Sequence, residues 1–440
     1  MVMGIPIYLL QQSFSCLAFT FPDVVYLRSH DRYDTSLFQS LSNDDRLSLY
    51  DATSHQELSR RQVMNRFVAG TTGAAMGWAT TASGLAVPAT AQASETATKV
   101  PTVQLGDSSL TVTQTIQGFW SLAGGHGKYR EADALDNMEA HWKAGITTLD
   151  TADIYGPSEL IVGKFMGKHA NSAIPLTKFC CFRFLDEIDR AEVKDRIQRA
   201  CERLQVSKLP LVQFFWSNFE VRKYVDVGLY LAELKDQGLI QEIGATNFDL
   251  PRLKELKNAG VPIVSHQVQL SAMDRRPVQS GMADWCAENK VGLIAFGTVA
   301  GGILSNRYLG RGSPAPEERN TASMRLYSST AARFGDWKLV QELLRTMDAI
   351  KDDVRADGRC AEASIANIAQ RYVLDATPAI ASVLIGVRNQ NHIAENVQTH
   401  SFKLKPDEIA AIDKVVAKRE GPKGDVWEIE RGTLPTEKKG

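Results

Sequence analysis

The chain lacks the features that mark several protein classes. Its six cysteines (Cys16, Cys180, Cys181, Cys201, Cys286 and Cys360) form no C-x-x-C pair and keep no metal-ligand rhythm. That speaks against a disulfide scaffold and a zinc ribbon. Cys180 and Cys181 are adjacent, a spacing that fits a disulfide badly, and they read as a buried pair beside a strand end. Net charge is missing too: 50 Lys plus Arg stand against 51 Asp plus Glu, a formal balance of -1. No broad basic field is therefore available for nucleic acid or anionic lipid, whereas small neutral or anionic ligands stay open. With 440 residues, 44% of them hydrophobic, the chain can bury one or two full cores, and disorder and collagen-like repetition are excluded.

Lysine is absent from Met1 to Thr98, a stretch with six arginines and eight acids, and is frequent afterwards. The two parts are different kinds of polypeptide. From Phe67 to Ala93 no residue is charged, and the run is rich in Ala, Gly and Thr but poor in Leu and Ile. It is long enough to span a bilayer but only mildly apolar. Ser59-Arg60-Arg61-Gln62-Val63-Met64-Asn65 stands upstream, and Ala91-Gln92-Ala93 puts small residues at both key positions of a cleavage site. Residues 59–93 thus resemble a twin-arginine export signal, whose cargo crosses the membrane folded. A transmembrane anchor and a disordered leader are the alternatives. The stretch before it, with apolar Ile5 to Leu10 and Phe14 to Phe21, resembles a multipartite plastid address that would place the protein in the thylakoid lumen. A wrongly chosen start codon would leave a bacterial export signal and a periplasmic protein, and a cytoplasmic location stays open. Residues 1–98 are read as a leader and 99–440 as the folded domain, so the membrane enters only through translocation of the leader.

After a hairpin expected at Thr102 to Val112, apolar β-rich runs alternate with amphipathic stretches. The runs are Thr115 to Trp120, Thr147 to Asp150, Ile174 to Lys178, Leu209 to Phe215, Ile240 to Gly244, Ile263 to His266, Gly292 to Phe296 and Ala381 to Ile385. Helices are expected at Ala132 to Ala144, Asp189 to Leu204, Val221 to Asp236, Pro251 to Ala259, Val278 to Glu288 and Ala363 to Leu374. Eight such units in about 340 residues predict an α/β fold, a closed (β/α)8 TIM barrel, rather than an open doubly wound sheet. The first strand is not followed by Gly-x-Gly-x-x-Gly, so the dinucleotide fingerprint of the open fold is absent. The longest irregular piece, Gly297 to Arg333, follows the seventh strand and belongs at the catalytic face of such a barrel.

Chemistry-bearing residues gather at strand ends. Asp150 closes the second strand, Tyr155 follows in its loop, and Lys178 closes the third. An ammonium near a phenol stabilises the phenolate, so Lys178 is expected to lower the Tyr155 pKa from about 10 toward neutrality and let the hydroxyl donate a proton. An aspartate beside the lysine keeps the ammonium charged and oriented. Taken singly, Asp150 reads equally as a helix cap, Tyr155 as a loop anchor and Lys178 as a surface charge. The combination of spacing, strand order and barrel is more specific.

At these residues the sequence resembles the aldo-keto reductase family, from about Thr102 to Glu420. Thr148-Leu149-Asp150-Thr151-Ala152-Asp153-Ile154-Tyr155-Gly156 is similar to the family's Asp and Tyr motif, and Thr177-Lys178 to its Lys motif. Ile243-Gly244-Ala245-Thr246-Asn247-Phe248 and Ser265-His266-Gln267-Val268-Gln269 resemble the segments that clamp the nicotinamide carboxamide, through Thr246, Asn247 and Gln267. Phe296-Gly297 falls where the family stacks an aromatic ring on the nicotinamide. Ile385-Gly386-Val387-Arg388 and His392-Ile393-Ala394-Glu395-Asn396 resemble the adenosine phosphate and adenine site, implying cofactor roles for Gly386, Arg388, Glu395 and Asn396. Gly118-Phe119-Trp120 and the loop Gly124 to Gly127 resemble the substrate-facing loop, which implicates Trp120 and His126 alongside Phe215 and Trp216. The residue chemistry agrees: amide side chains match both donor and acceptor of a carboxamide, and the fork of Arg388 suits a phosphate, favouring NADP(H). Arg388 is readable equally as a solvated loop charge. Gly301-Gly302 would let a pyrophosphate approach the backbone. His266 reads as packing or a local hydrogen bond.

The resemblance implies an NADPH-dependent reductase in which hydride goes to an aldehyde or ketone and Tyr155 supplies the proton, with no metal and no nucleic acid partner. One departure matters: Phe215 stands where the family usually places a histidine that orients the substrate carbonyl. Losing such a donor typically costs about 10²- to 10³-fold in turnover, roughly 3 to 4 kcal/mol. A reactive carbonyl substrate or a compensating donor such as His126 would answer that loss. Alternatively the barrel resembles the β subunits of potassium channels, holding NADP(H) as a redox sensor or scaffold with a protein partner. A carbon-carbon double bond reductase would need an acid where Phe215 stands. Arg275-Arg276-Pro277 and the loop Arg307 to Arg333 are readable as pocket lining or as solvated charges.

Overall fold

The computed structural model describes residues 99–432. The expected leader, residues 1–98 with its 59–93 signal, lies outside the described residues. An antiparallel hairpin, β1 (Thr102–Gln104) and β2 (Thr111–Thr113), precedes eight strands: β3 (Thr115–Gly118), β4 (Thr148–Asp150), β5 (Ile174–Cys181), β6 (Leu209–Trp216), β7 (Ile240–Thr246), β8 (Ile263–Gln269), β9 (Gly292–Phe296) and β10 (Ile380–Gly386). They close into a barrel in the order β10-β3-β4-β5-β6-β7-β8-β9, and every neighbouring pair is parallel. This is the (β/α)8 barrel the alternation predicted.

Side chains alternate across a strand, which sorts the interior. Leu176, Lys178 and Cys180 share one face of β5, while Leu211, Gln213 and Phe215 share one face of β6. At the N-terminal end the interior is apolar: Leu176 and Leu211 pack with Ile116, Ile294 and Ala381 against Leu105, Leu110 and Val112 of the hairpin. The hairpin therefore plugs that end. Polar residues occupy the next layer up, toward the C-terminal ends of the strands.

Local chemistry accounts for the helices. Asp189 caps the helix Arg190–Leu204 by accepting from the Glu192 N–H at 2.8 Å, and Val193, Ile197, Ala200, Cys201 and Leu204 bury one stripe against the barrel. Two expectations fail. The helix expected from Val278 to Glu288 is broken into Arg276–Gln279 and Met282–Glu288, because Gly281 takes φ +76 between them. The supposedly irregular piece after β9 contains the helix Ala322–Phe334, whose Thr321 cap accepts from the Met324 N–H. It is followed by the long helix Trp337–Ala356. These pack with Ile365–Leu374 and Pro406–Val416 into a second apolar cluster outside the barrel. Cys180 and Cys181 are buried free thiols at the end of β5.

Candidate functional site

The strand ends bring the expected aspartate and lysine together. Lys178 Nζ donates to Asp150 Oδ1 and, at 2.9 Å, to the Thr151 carbonyl. Both side chains are almost fully buried, at 5% and 2% exposed. The other carboxylate oxygen of Asp150 accepts from Gln213 Nε2 at 2.7 Å and from Gln267 Nε2 at 2.8 Å, and Gln267 Nε2 also lies 2.8 Å from Gln213 Oε1. An interior carboxylate thus meets three donors, the compensation that a buried ion pair requires. After β4 a turn closes with the Tyr155 N–H on the Ala152 carbonyl at 3.1 Å. This sets the Tyr155 ring 5.0 Å from Lys178 Nζ.

Burial by itself would lower the Lys178 pKa, yet Asp150 and Tyr155 beside it hold the ammonium above its ordinary range. For Tyr155 the expectation reverses. Burial raises its pKa more than Lys178 lowers it, and the phenol is pushed up to about 12 instead of down toward neutrality. Cys180, one inward step above Lys178, is pushed well up by burial and stays a thiol.

A second group lines the ends of β7 to β10. Asn247 takes a left-handed backbone, φ +56, with its N–H on the Gln267 carbonyl at 3.0 Å, and Thr246 Oγ1 donates to the same carbonyl at 3.2 Å. Asn247 Oδ1 is buried with no hydrogen-bond partner among the described residues. Gln267 differs from expectation: its amide nitrogen points down into the Asp150 layer, because a buried carboxylate is the strongest acceptor within its reach. Phe296 is half-buried at the rim, edge-on to Trp427 at 6.1 Å. Tyr327, from the helix Ala322–Phe334, covers Gly297 and Gly301, where an added Cβ would come within 2.6 and 2.8 Å of its ring. Gly302 and Gly386 face open space. Arg388 is exposed, with its Nη2 beside the Gly127 loop. Glu395 accepts from Ser364 Oγ at 2.5 Å and pairs with His392, while Asn396 Oδ1 accepts from Gln370 at 3.0 Å. The adenine-site expectation for Asn396 therefore meets a side chain already engaged between helices.

On the expected substrate side, Phe215 is in the interior, its ring tilted 34° against that of Phe182 at 5.0 Å, and Phe182 is 45% exposed at the rim. Trp216 corrects the expectation. Being next to an inward residue it points outward, is fully buried, and donates from Nε1 to the Asn218 and Val221 carbonyls. Trp120 packs edge-on to His126 at 5.0 Å. The His126 ring is also spoken for: the Ser323 N–H approaches Nε2 at 3.3 Å and Ser323 Oγ at 2.7 Å, which leaves the Nδ1 proton for the Gly124 carbonyl at 3.1 Å. It has no donor left to replace a histidine at position 215. His266 is the packing residue its position suggested, with Nε2 accepting from the Phe248 N–H at 3.0 Å and burial pushing its pKa down to about 3. Arg276 is not the solvated charge that was one reading of it. It is buried between Asp274 and Glu430.

Four contributors were not anticipated. Gln213 had a usable signal, since it lies two residues before Phe215 and so shares its face. Tyr327, Trp427 and Arg431 had none, because chain return alone brings them to the mouth.

A sequence profile described as the Aldo/keto reductase family matches residues 115–417. The uncharacterized oxidoreductase YqkF of Bacillus subtilis (strain 168) is 27% identical over 323 residues, 70% of this chain and 94% of its own. The chloroplastic pyridoxal reductase of Arabidopsis thaliana is 28% identical over 183 residues, 37% of this chain and 49% of its own. Among solved structures, the holo form of the aldo-keto reductase AKR11C1 from Bacillus halodurans superposes with a TM-score of 0.58 at 24% identity, covering 76% of this chain and 99% of that one. At that identity the likeness speaks for the fold.

Proposed function

The chain belongs to the aldo/keto reductase family, and from that premise we propose that it reduces an aldehyde or ketone to the alcohol with NADPH, Tyr155 giving the proton. The observation that carries this reading is the buried Lys178–Asp150 pair beside Tyr155 at the C-terminal end of the barrel. With its pKa up at about 12, Tyr155 is a neutral phenol at physiological pH, which is the form that can donate. The ammonium of Lys178, kept charged by Asp150, lies near enough to offset the negative charge left on the phenolate oxygen. Gln213 and Gln267 hold the second oxygen of Asp150 and so fix its orientation.

The residues around the β7 to β10 ends fit a nicotinamide dinucleotide. Asn247 Oδ1 is a buried acceptor unmet among the described residues, and a carboxamide N–H would satisfy it. Phe296 offers a flat apolar face, Gly302 leaves the backbone open to a pyrophosphate, and the exposed fork of Arg388 favours the additional phosphate of NADP. Bound there, the cofactor supplies a hydride to the carbonyl carbon.

The test follows NADPH absorbance with the full-length chain and a panel of aldehydes and ketones, against Tyr155→Phe. Pyridoxal belongs in the panel because a relative is a pyridoxal reductase. Turnover that disappears with the hydroxyl supports the reading. Tight NADPH binding without oxidation of any panel member would replace it by the sensor reading, which Phe215 and the engaged ring of His126 motivate.

A further inference from the structure

The family match ends at residue 417, but the chain continues and returns to the barrel mouth. Asp425 Oδ2 accepts from the Leu250 N–H at 2.9 Å, and Glu430 takes both terminal nitrogens of Arg276 at 2.8 and 2.9 Å. These contacts dock the short helix Glu428–Arg431 at the ends of β6 and β7. There Arg431 Nη2 donates to the Trp216 carbonyl at 3.0 Å and the Asn247 carbonyl at 2.6 Å.

The rest of that guanidinium lies over the Phe219 and Phe215 rings and meets no acceptor among the described residues. Nε and Nη1 are shielded from water and have no hydrogen-bond partner among the described residues. Neighbouring acids are engaged elsewhere, Glu430 with Arg276 and Asp249 with Arg252. Burial is the largest influence on Arg431, pushing its pKa down to about 10, so it remains charged at neutral pH. Buried charged donors without acceptors cost free energy that an incoming anion would recover.

Position indicates which part of a ligand would supply that anion. Arg431 Cζ lies 5.6 Å from the Phe215 ring and 4.2 Å from the Phe219 ring. Phe215 stands one inward step, about 7 Å along a strand, above Gln213 and hence above the Asp150 layer. The guanidinium is therefore beside the proton-donating layer and not in it.

We propose that Arg431 binds a carboxylate at the far end of the carbonyl substrate, making this chain selective for oxo-acids over neutral carbonyls. The carbonyl half of the statement rests on the reductase reading above, whereas the anion half does not. To reach Nε and Nη1 the carboxylate displaces one of the two rings beside the guanidinium, Phe219 or Phe215, and the new charge-assisted hydrogen bonds offset that movement.

The test uses the full-length chain with NADPH and a matched pair of substrates, 4-carboxybenzaldehyde and 4-methylbenzaldehyde. The ratio of their kcat/KM values is compared for the wild type, Arg431→Met and Arg431→Lys. Binding of terephthalate, which has the carboxylates but no aldehyde, is measured by calorimetry on the NADPH complex. The expected result is a ratio favouring the acid that falls about 10- to 100-fold in Arg431→Met, the range of a lost charged hydrogen bond, with part of it restored in Arg431→Lys. Terephthalate affinity should fall alongside. If neither aldehyde is turned over but terephthalate binding depends on Arg431, the anion site stands and the reductase reading fails. A ratio near one in the wild type, or one unmoved by Arg431→Met, overturns the anion site and leaves the reductase reading intact. Should Arg431→Met not fold, Arg431→Gln, which retains hydrogen-bond donors without the charge, takes its place, and an unmoved ratio there overturns the proposal equally.

Discussion

Replacing Asp150 with asparagine tests the buried pair at its centre. The variant is nearly isosteric, but it leaves the Lys178 ammonium, 5% exposed, without a counter-charge. It also sets an amide donor against the donating nitrogens of Lys178, Gln213 or Gln267, whichever way the amide turns. Breaking a buried ion pair by removing one partner costs about 3 to 5 kcal/mol. For a domain of this size, roughly 1 to 2 °C is lost per kcal/mol, so a fall in Tm of roughly 3 to 10 °C at pH 7 is expected. The pH dependence sharpens the test. In the wild type the Lys178 pKa is raised in the folded state, so its stabilisation is fully present below the ordinary lysine value of about 10.4 and is lost only as pH rises through the raised value. In Asp150→Asn the largest influence opposing burial is gone, and burial is expected to depress that pKa. The penalty is then full at pH 7 and shrinks as pH rises through the depressed value toward about 10.4, because the lysine is neutral in both states. Thermal unfolding followed by circular dichroism at pH 7 and pH 10 should show a Tm deficit that narrows at pH 10. A deficit below 1 °C at pH 7 (roughly 1 kcal/mol or less), or one that widens at pH 10, refutes the account of Lys178 as an ammonium held by Asp150.

Other outcomes follow from the same geometry. Phe215→His should raise kcat by about 10²- to 10³-fold by restoring an inward donor, and an unchanged rate in steady-state assays would count against a weakened reductase. Since the phenol of Tyr155 stays protonated up to about pH 12, kcat/KM for carbonyl reduction should be flat from pH 6 to 10, whereas a fall centred near pH 8 would mean that Lys178 outweighs burial. Gly297→Ala should cost about 1 to 3 kcal/mol in urea unfolding, because φ is +74 and the new methyl would lie 2.6 Å from the Tyr327 ring; a neutral result would place that ring elsewhere in solution. Finally, and from the sequence alone, if residues 59–93 act as the export signal they resemble, a reporter carrying residues 1–93 should leave the cytosol but stay in it when Arg60→Lys and Arg61→Lys are combined; a cytosolic reporter with the arginines intact ends the export reading.

What could be read in the sequence was whatever depends on near neighbours along the chain. Alternation and apolar runs located all eight barrel strands to within a few residues, because a strand's pattern is set by its own pleat and burial. Strand order then put Asp150 and Lys178 at the C-terminal ends of adjacent strands. The same alternation held the orientation of Trp216 and the presence of Gln213, had it been followed two residues either way from Phe215. The helix Ala322–Phe334 escaped because its Ser, Thr and Arg content blurs the apolar stripe, and its reason to be helical lies in the cluster it packs against.

Only the tertiary structure decided matters that are differences between competing influences or contacts between distant residues. The sign of the Tyr155 shift is a contest between burial and one ammonium, and no spacing reveals how much water a site excludes. Gln267 turns toward Asp150, 117 positions away, because a carboxylate lies within reach there. Arg431 arrives beside Asn247 across 184 positions, carried by the pairing of Glu430 with Arg276. Periodicity encodes which face of an element is buried, while charge, reach and the exclusion of water are set by whichever parts of the chain come back to meet it.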